Sequence, residues 1–231
     1  MPWMDDTRGA SLRSAWAVVC RLLLGTAVLL PVGIVFGETL VSGCLGAYRA
    51  IFTWVAEDFR LLSLTIDHEG LDRVLRARVA WRHLVVVGET VIYPDPRGVA
   101  EASTLMAYAL HGPLVALLTV IAWPLRGQRA SFKQPGAWLE CTARGVVLVP
   151  LLAILALIDA PLFLAGELWA LVLEALDPDA ISGLVLWRKF LSGGGRFALG
   201  AAAGVTAVVA ARGLCRFPQA LFSRVVTADR A

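Results

Sequence analysis

Between Ser103 and Leu125 the chain runs for 23 residues without an Asp, Glu, Lys or Arg. As a helix rising 1.5 Å per residue, such a run reaches roughly 35 Å, enough to cross a hydrocarbon core about 30 Å thick. Three further apolar runs share the character. Residues 15–37 are interrupted only by Arg21, residues 145–166 only by Asp159, and residues 197–211 lie between Arg196 and Arg212. The last is short for a span of about 20 residues, a deficit that arginine snorkelling or local thinning of the bilayer makes up. Composition agrees, with 58% apolar and 17% charged residues. A soluble domain carries roughly 45–50% and 25%. Disorder, a disulfide-rich module and a collagen-like fibre are excluded on the same figures. The expected fold is an α-helical integral membrane protein of about four transmembrane helices, with a small exported α+β insertion between the first two.

Charge sets the expected orientation. The segments 1–14, 126–144 and 212–231, with Arg21 at the inner end of the first span, hold 11 basic residues against four acids. The 126–144 loop alone supplies Arg126, Arg129, Lys133 and Arg144. The positive-inside rule then puts both termini and this loop in the cytoplasm, and 38–102 and 167–196 on the opposite side. Trp16, Trp123, Trp169 and Trp187 fall near these boundaries, where an amphipathic ring sits well. The first run lacks a small-x-small cleavage site before a soluble domain, which points to a retained anchor. A net charge of +3 gives no reason to expect nucleic acid as a partner. Cys20, Cys44, Cys141 and Cys215 show no CxxC spacing, so neither zinc nor a redox motif is signalled.

The exported segment 38–102 changes period along its length. Val41, Leu45, Tyr48, Phe52 and Val55 recur at helical spacing over 39–56, predicting a helix that protrudes from the first span or lies in the interface. Leu62, Leu64 and Ile66 then alternate with polar residues, as in a strand. His68-Glu69-Gly70 supplies a turn. Leu75, Ala77, Val79 and Trp81 form one face of the next strand, opposite Arg76, Arg78 and Arg82. Leu84–Val87 and Thr90–Tyr93 pair across a Gly88-Glu89 turn. A helix, the membrane surface or a partner must cover the apolar face of a sheet of three or four strands.

Ionisable groups at or within a span are functional candidates, because lipid penalises them. By depth, His111 and Asp159 both fall in the outer half of their spans. They read either as an intramembrane polar pair serving a relay or as structural hydrogen-bonding groups. Glu38 and Glu167 are boundary carboxylates able to face water. Gly200 and Gly204 form a GxxxG motif, for packing within the bundle or against a partner helix. Arg76, Arg78 and Arg82 offer an anionic-surface contact or a solvated face balanced by Asp67, Glu69, Asp72 and Glu89. HExxH, GxSxG, GxGxxG and P-loop patterns are missing, so no catalytic residue, cofactor or metal is expected.

Around Tyr108, Gly112-Pro113-Leu114 and the following Ala/Leu-rich helix, the chain resembles the H-type exosortase-associated bacterial membrane proteins, with the motif at an altered spacing. The family is also similar in having an N-terminal span, a small exported segment and later spans. The resemblance implies a non-enzymatic accessory of a protein-sorting system in the bacterial inner membrane. Its partners would be lipids and a larger membrane protein, an exosortase-like transpeptidase. The alternative expectation is a small oligomeric transporter or permease component with His111 and Asp159 as relay.

Overall fold

Long helices dominate the computed structural model, which describes residues 5–95, 97–124 and 135–228, with side chains over 15–95, 97–124 and 138–215. Helix α1 covers Asp5–Val55, α2 Met106–Ala122, α3 Pro135–Leu176, α4 Gly183–Phe190 and α5 Arg196–Ala228. Among the described residues, three stretches are long and apolar enough to cross a membrane: Ala15–Val55, Trp138–Leu176 and Gly183–Cys215. Helix α2 is apolar too but only 17 residues long. Five strands lie between α1 and α2: β1 Phe59–Glu69, β2 Asp72–Trp81, β3 Val85–Val87, β4 Thr90–Ile92 and β5 Ala100–Leu105. They form a three-stranded antiparallel sheet, ordered β1-β2-β5, and a separate β3-β4 hairpin.

The described chain falls into two compact units, one drawn from 1–31, 114–153 and 200–231, the other from 32–113 and 154–199. The second contains the sheet, and its core answers what covers the sheet's apolar face. Leu75, Ala77 and Val79 of β2 are fully buried, against Tyr48 and Phe52 of α1, Met106 and Ala109 of α2, and Leu164 and Leu168 of α3. The helical face expected at 39–56 therefore packs on the sheet as a direct continuation of α1. Burying each large side chain of this kind contributes roughly 1.5–3 kcal/mol. Phe59, Trp81 and Trp169 close one end, with Phe59 and Trp81 stacked at 4.6 Å and Trp169 edge-on to both.

Both hairpins turn through the same device. Glu69 pairs with Asp72 and Val87 with Thr90, leaving two-residue loops that begin at Gly70 (φ 64°) and Gly88 (φ 57°). A positive φ at the first loop residue alone defines the type II′ turn, which suits glycine there. The expected alternation in β1 is broken by a bulge, since Leu61 pairs with Val79 and Ser63 with Arg78. Leu62 is the extra residue and is exposed, while Phe59 before the bulge and Leu64 after it are both buried. The bulge shifts the inward-facing parity from odd to even, so Leu62 does not share the face of Leu64 and Ile66.

Other boundaries differ from the sequence expectation. Residues 103–105, expected to open the second span, belong to β5 and pair with Val74–Arg76. The 167–196 connection is mostly helical: α3 runs on to Leu176, and α4 meets α5 across a kink at Leu191–Gly195. Gly193-Gly194-Gly195 is therefore part of a tight turn, with Gly194 at φ 101°. Helix α5 continues past 211 to Ala228, so 212–228 is helical. Of the 126–144 loop, 126–134 lies outside the described residues, and the remainder from Pro135 belongs to α3.

The first unit is packed by small residues. A side chain at Gly204 of α5 would meet the Cβ of Thr119 at 2.6 Å and the carbonyl oxygen of Ala116 at 2.8 Å, both on α2. Gly200 is buried as well. At the C-terminal end of α2, Arg144 donates to the carbonyls of Trp123 (2.9 Å), Pro124 (3.1 Å) and Val120 (3.3 Å) and to Glu140 (2.6 Å). Arg212 adds a bond to Pro124 O at 2.9 Å. Two cations thus satisfy carbonyls that a helix end leaves open, where the macrodipole is negative.

Candidate functional site

The second unit holds its most buried charge where α3 faces the start of α5. Arg196 Nε lies 2.8 and 3.1 Å from the two carboxylate oxygens of Asp159. The side chains are 6% and 11% exposed. The guanidinium also sits over the rings of Phe163 (4.6 Å) and Tyr108 (5.0 Å). A cation so enclosed is held by its counter-ion and by ring quadrupoles.

The expected partner of Asp159, His111, lies beside the same arginine without bonding to the carboxylate. His111 stacks on Phe197 at 5.4 Å and lies 5.3 Å from the Tyr108 ring. It makes no hydrogen bond to Asp159, whose bonds go to Arg196. Helix α2 supplies His111 and Tyr108, α3 supplies Asp159 and Phe163, and the first residue of α5 is Arg196. Reading Arg196 as the outer end of a short span hid its role, because it opens α5 directly after the glycine kink and faces α3 there.

A second pair reinforces the first. Arg188 of α4 grips both carboxylate oxygens of Glu167, its NH2 group at 3.0 Å from Oε1. Asp159 and Glu167 are eight residues apart on α3, and Arg188 and Arg196 are eight apart on the returning segment. Equal spacing on antiparallel elements lets both pairs form in one register, on either side of the glycine turn. Gly166 permits the approach, since a Cβ there would lie 2.5 Å from Leu184 O and 2.9 Å from Arg188 Cβ. Gly195 is equally constrained, 2.6 Å from Phe190 O.

The other boundary carboxylate, Glu38, forms a salt bridge with Arg73 of β2. On the outer sheet face Arg76 pairs with Glu69, Asp67 and Glu101, and Arg78 with Glu101 at 2.5 Å. Arg82 is exposed. The balanced-face reading therefore describes Arg76 and Arg78; their charge is spent across the strands. The Gly204 face, a candidate for partner docking, is filled by the chain's own α2.

Two cavities flank Arg196. One, about 160 Å³, is walled mainly by Ile154, Leu155, Ile158 and Leu199, with Trp187 and the Asp159–Arg196 pair on its edge. The other, about 270 Å³, is bordered by Tyr108, His111, Ser192 and Phe197. Among the described residues, no group of three His, Cys, Asp or Glu side chains gathers as a metal site. No protein-family model, curated protein or solved structure matches this chain.

Proposed function

We propose that this chain is a multi-pass protein of the bacterial inner membrane that works by binding, as an accessory or assembly subunit that holds a larger membrane protein. Helices α1, α2, α3 and α5 cross the bilayer in turn, with both termini in the cytoplasm and the 38–102 segment exported. The grouping of 1–31 with 114–153 and 200–231 supports this alternation, because four successive crossings bring those helix ends to one side. The resemblance around Tyr108 and Gly112-Pro113-Leu114 supports placing the partner in an exosortase-type protein-sorting system.

The observation that carries the reading is the imbalance among the apolar helices. In the most apolar window of α1 only 6% of residues are buried, against 28% for α3 and 33% for the segment containing α5. Leu24 and Val28, one turn apart, are 67% and 58% exposed. A helix contributing so little to its own bundle is free to serve a neighbouring one. The relay alternative gains nothing from the geometry, because Asp159 is occupied by Arg196 and His111 by aromatic rings.

The test is purification in mild detergent from native membranes, comparing the natural chain with a Leu24→Trp/Val28→Trp variant. A larger membrane protein should accompany the first in constant ratio and be lost from the second, while both stay folded. A natural chain that runs alone as a monomer contradicts the proposal.

A further inference from the structure

Leu71 stands at the tip of the β1–β2 turn and is 102% exposed. It follows Gly70 in a two-residue loop, where a small polar residue is the ordinary choice. The fold gives this large apolar side chain no apolar contact. Three contacts set the level at which the turn hangs. Arg73 of β2 pairs with Glu38 of α1, at the boundary of the first span. A Cβ on Gly37 would lie 2.7 Å from Leu110 and 3.7 Å from Met106, so the same level of α1 meets the start of α2. Val74 pairs with Leu105, which runs directly into α2 at Met106. Glu38, Arg73 and Met106 therefore share one level. Helix α2 has 17 residues, about 26 Å at 1.5 Å per residue, less than a hydrocarbon core of roughly 30 Å. A crossing by α2 uses its whole length, which puts Met106 at the edge of the hydrocarbon. Strand β2 is antiparallel to β5, so the turn points the way α2 runs, toward the lipid. Leu71 lies two residues past Arg73, at most about 7 Å at strand spacing, the depth at which interfacial apolar side chains sit.

We infer that the β1–β2 turn rests on the exported surface of the bilayer, with Leu71 inserted at the boundary between phospholipid headgroups and acyl chains. This rests on the membrane reading above. The flanking charges choose the surface. Arg73 is taken up by Glu38 and Glu69 by Arg76, while exposed Asp72 has no ion pair among the described residues. That carboxylate is repelled by an anionic surface and suits a zwitterionic one, whose ammonium groups it can meet. The charged residues of the turn stay among the hydrated headgroups, so the turn remains open to water-soluble reagents.

The experiment uses the full chain without its four native cysteines, reconstituted in phosphatidylcholine vesicles and labelled with bimane at Leu71→Cys, Arg60→Cys or Val209→Cys. All three positions are exposed, so the substitutions leave the core intact. Arg60, at the other end of β1, is about 30 Å along the strand from the turn. A nitroxide on the phosphatidylcholine headgroup should quench the label at 71 at least twofold more than at 60. Replacing half of the lipid by phosphatidylglycerol should not raise that quenching, and a marked rise overturns the choice of surface. Equal quenching at 71 and 60 overturns the inference. So does a label at 71 whose emission shifts to the blue without lipid quenching, which marks a second copy of the chain over the turn. Val209 reports the membrane reading through a nitroxide placed deep in the acyl chain. Quenching at 209 with none at 71 defeats only this inference, and no quenching at either position defeats both.

Discussion

Removing either charge of the Asp159–Arg196 pair should cost far more than removing both. Each side chain is about nine-tenths buried, and an orphaned charge in such a site costs roughly 3–5 kcal/mol. Arg196→Gln leaves the Asp159 carboxylate beside aromatic rings and also loses the cation–π contacts with Tyr108 and Phe163, each about 0.5–2 kcal/mol. Asp159→Asn leaves the arginine charge uncompensated. The double variant keeps a polar pair that can still hydrogen-bond and carries no charge. Its loss should be only about 1–2 kcal/mol, because replacing both partners of a buried ion pair is often close to neutral. Thermal unfolding in detergent measures this, and the melting temperature should move about 2–4 °C per kcal/mol in a chain of this size. Each single variant should melt roughly 6–20 °C lower and the double variant roughly 2–8 °C lower than the natural chain. Additive losses in the double variant would refute the pairing, as would an Asp159→Asn chain that melts normally.

Four other perturbations follow from the same geometry. Exchanging Glu167→Arg with Arg188→Glu should restore most of the stability that either change alone removes, because the pair fixes the register of α3 against α4; the melting temperatures of the four chains check it. Gly204→Leu should destabilise by about 1–3 kcal/mol by overpacking against Thr119 and Ala116, whereas a glycine reserved for an outside partner would tolerate the change. Gly70→Ala, at φ 64° with open space around it, should cost about 1 kcal/mol from backbone strain alone, read as the same modest shift in melting. Arg144→Met should lower stability by roughly 1–3 kcal/mol by leaving the Trp123 and Val120 carbonyls without this donor, while Arg212 still pairs with Glu140; a melting temperature within a degree of normal would contradict it.

Where side-chain period and chain direction stayed constant, the fold was readable in the residues. Leu75, Ala77 and Val79 alternate cleanly and form the buried face of β2, and Val41, Tyr48 and Phe52 share the helical face that covers it. Gly70 and Gly88 marked their turns because only a residue without a Cβ suits that backbone conformation. The misses have definite causes. Strand β5 is built from Ala, Ser and Thr, whose weak contrast merged with the apolar run after it, although Glu101 and Ser103 do alternate with buried Ala102 and Thr104. Leu62 misled because a bulge inverts parity with no mark in composition. Arg196 stood outside an apolar run, and depth counting treated it as a boundary. Its partnership with Asp159 arises from a long-range register, and the matched spacing of eight residues in the two acids and two arginines was the available signal.

The central claim is the proposed membrane topology, in which residues 60–95 and residues 126–134 face opposite sides. Single cysteines at Leu71, fully exposed in the β1–β2 turn, and at Lys133, in a chain lacking its four native cysteines, can be challenged in intact cells with a membrane-impermeant maleimide. The account predicts labelling at position 71 in intact spheroplasts and at 133 only after permeabilisation. Equal labelling of both sites before permeabilisation, or of neither, would contradict it.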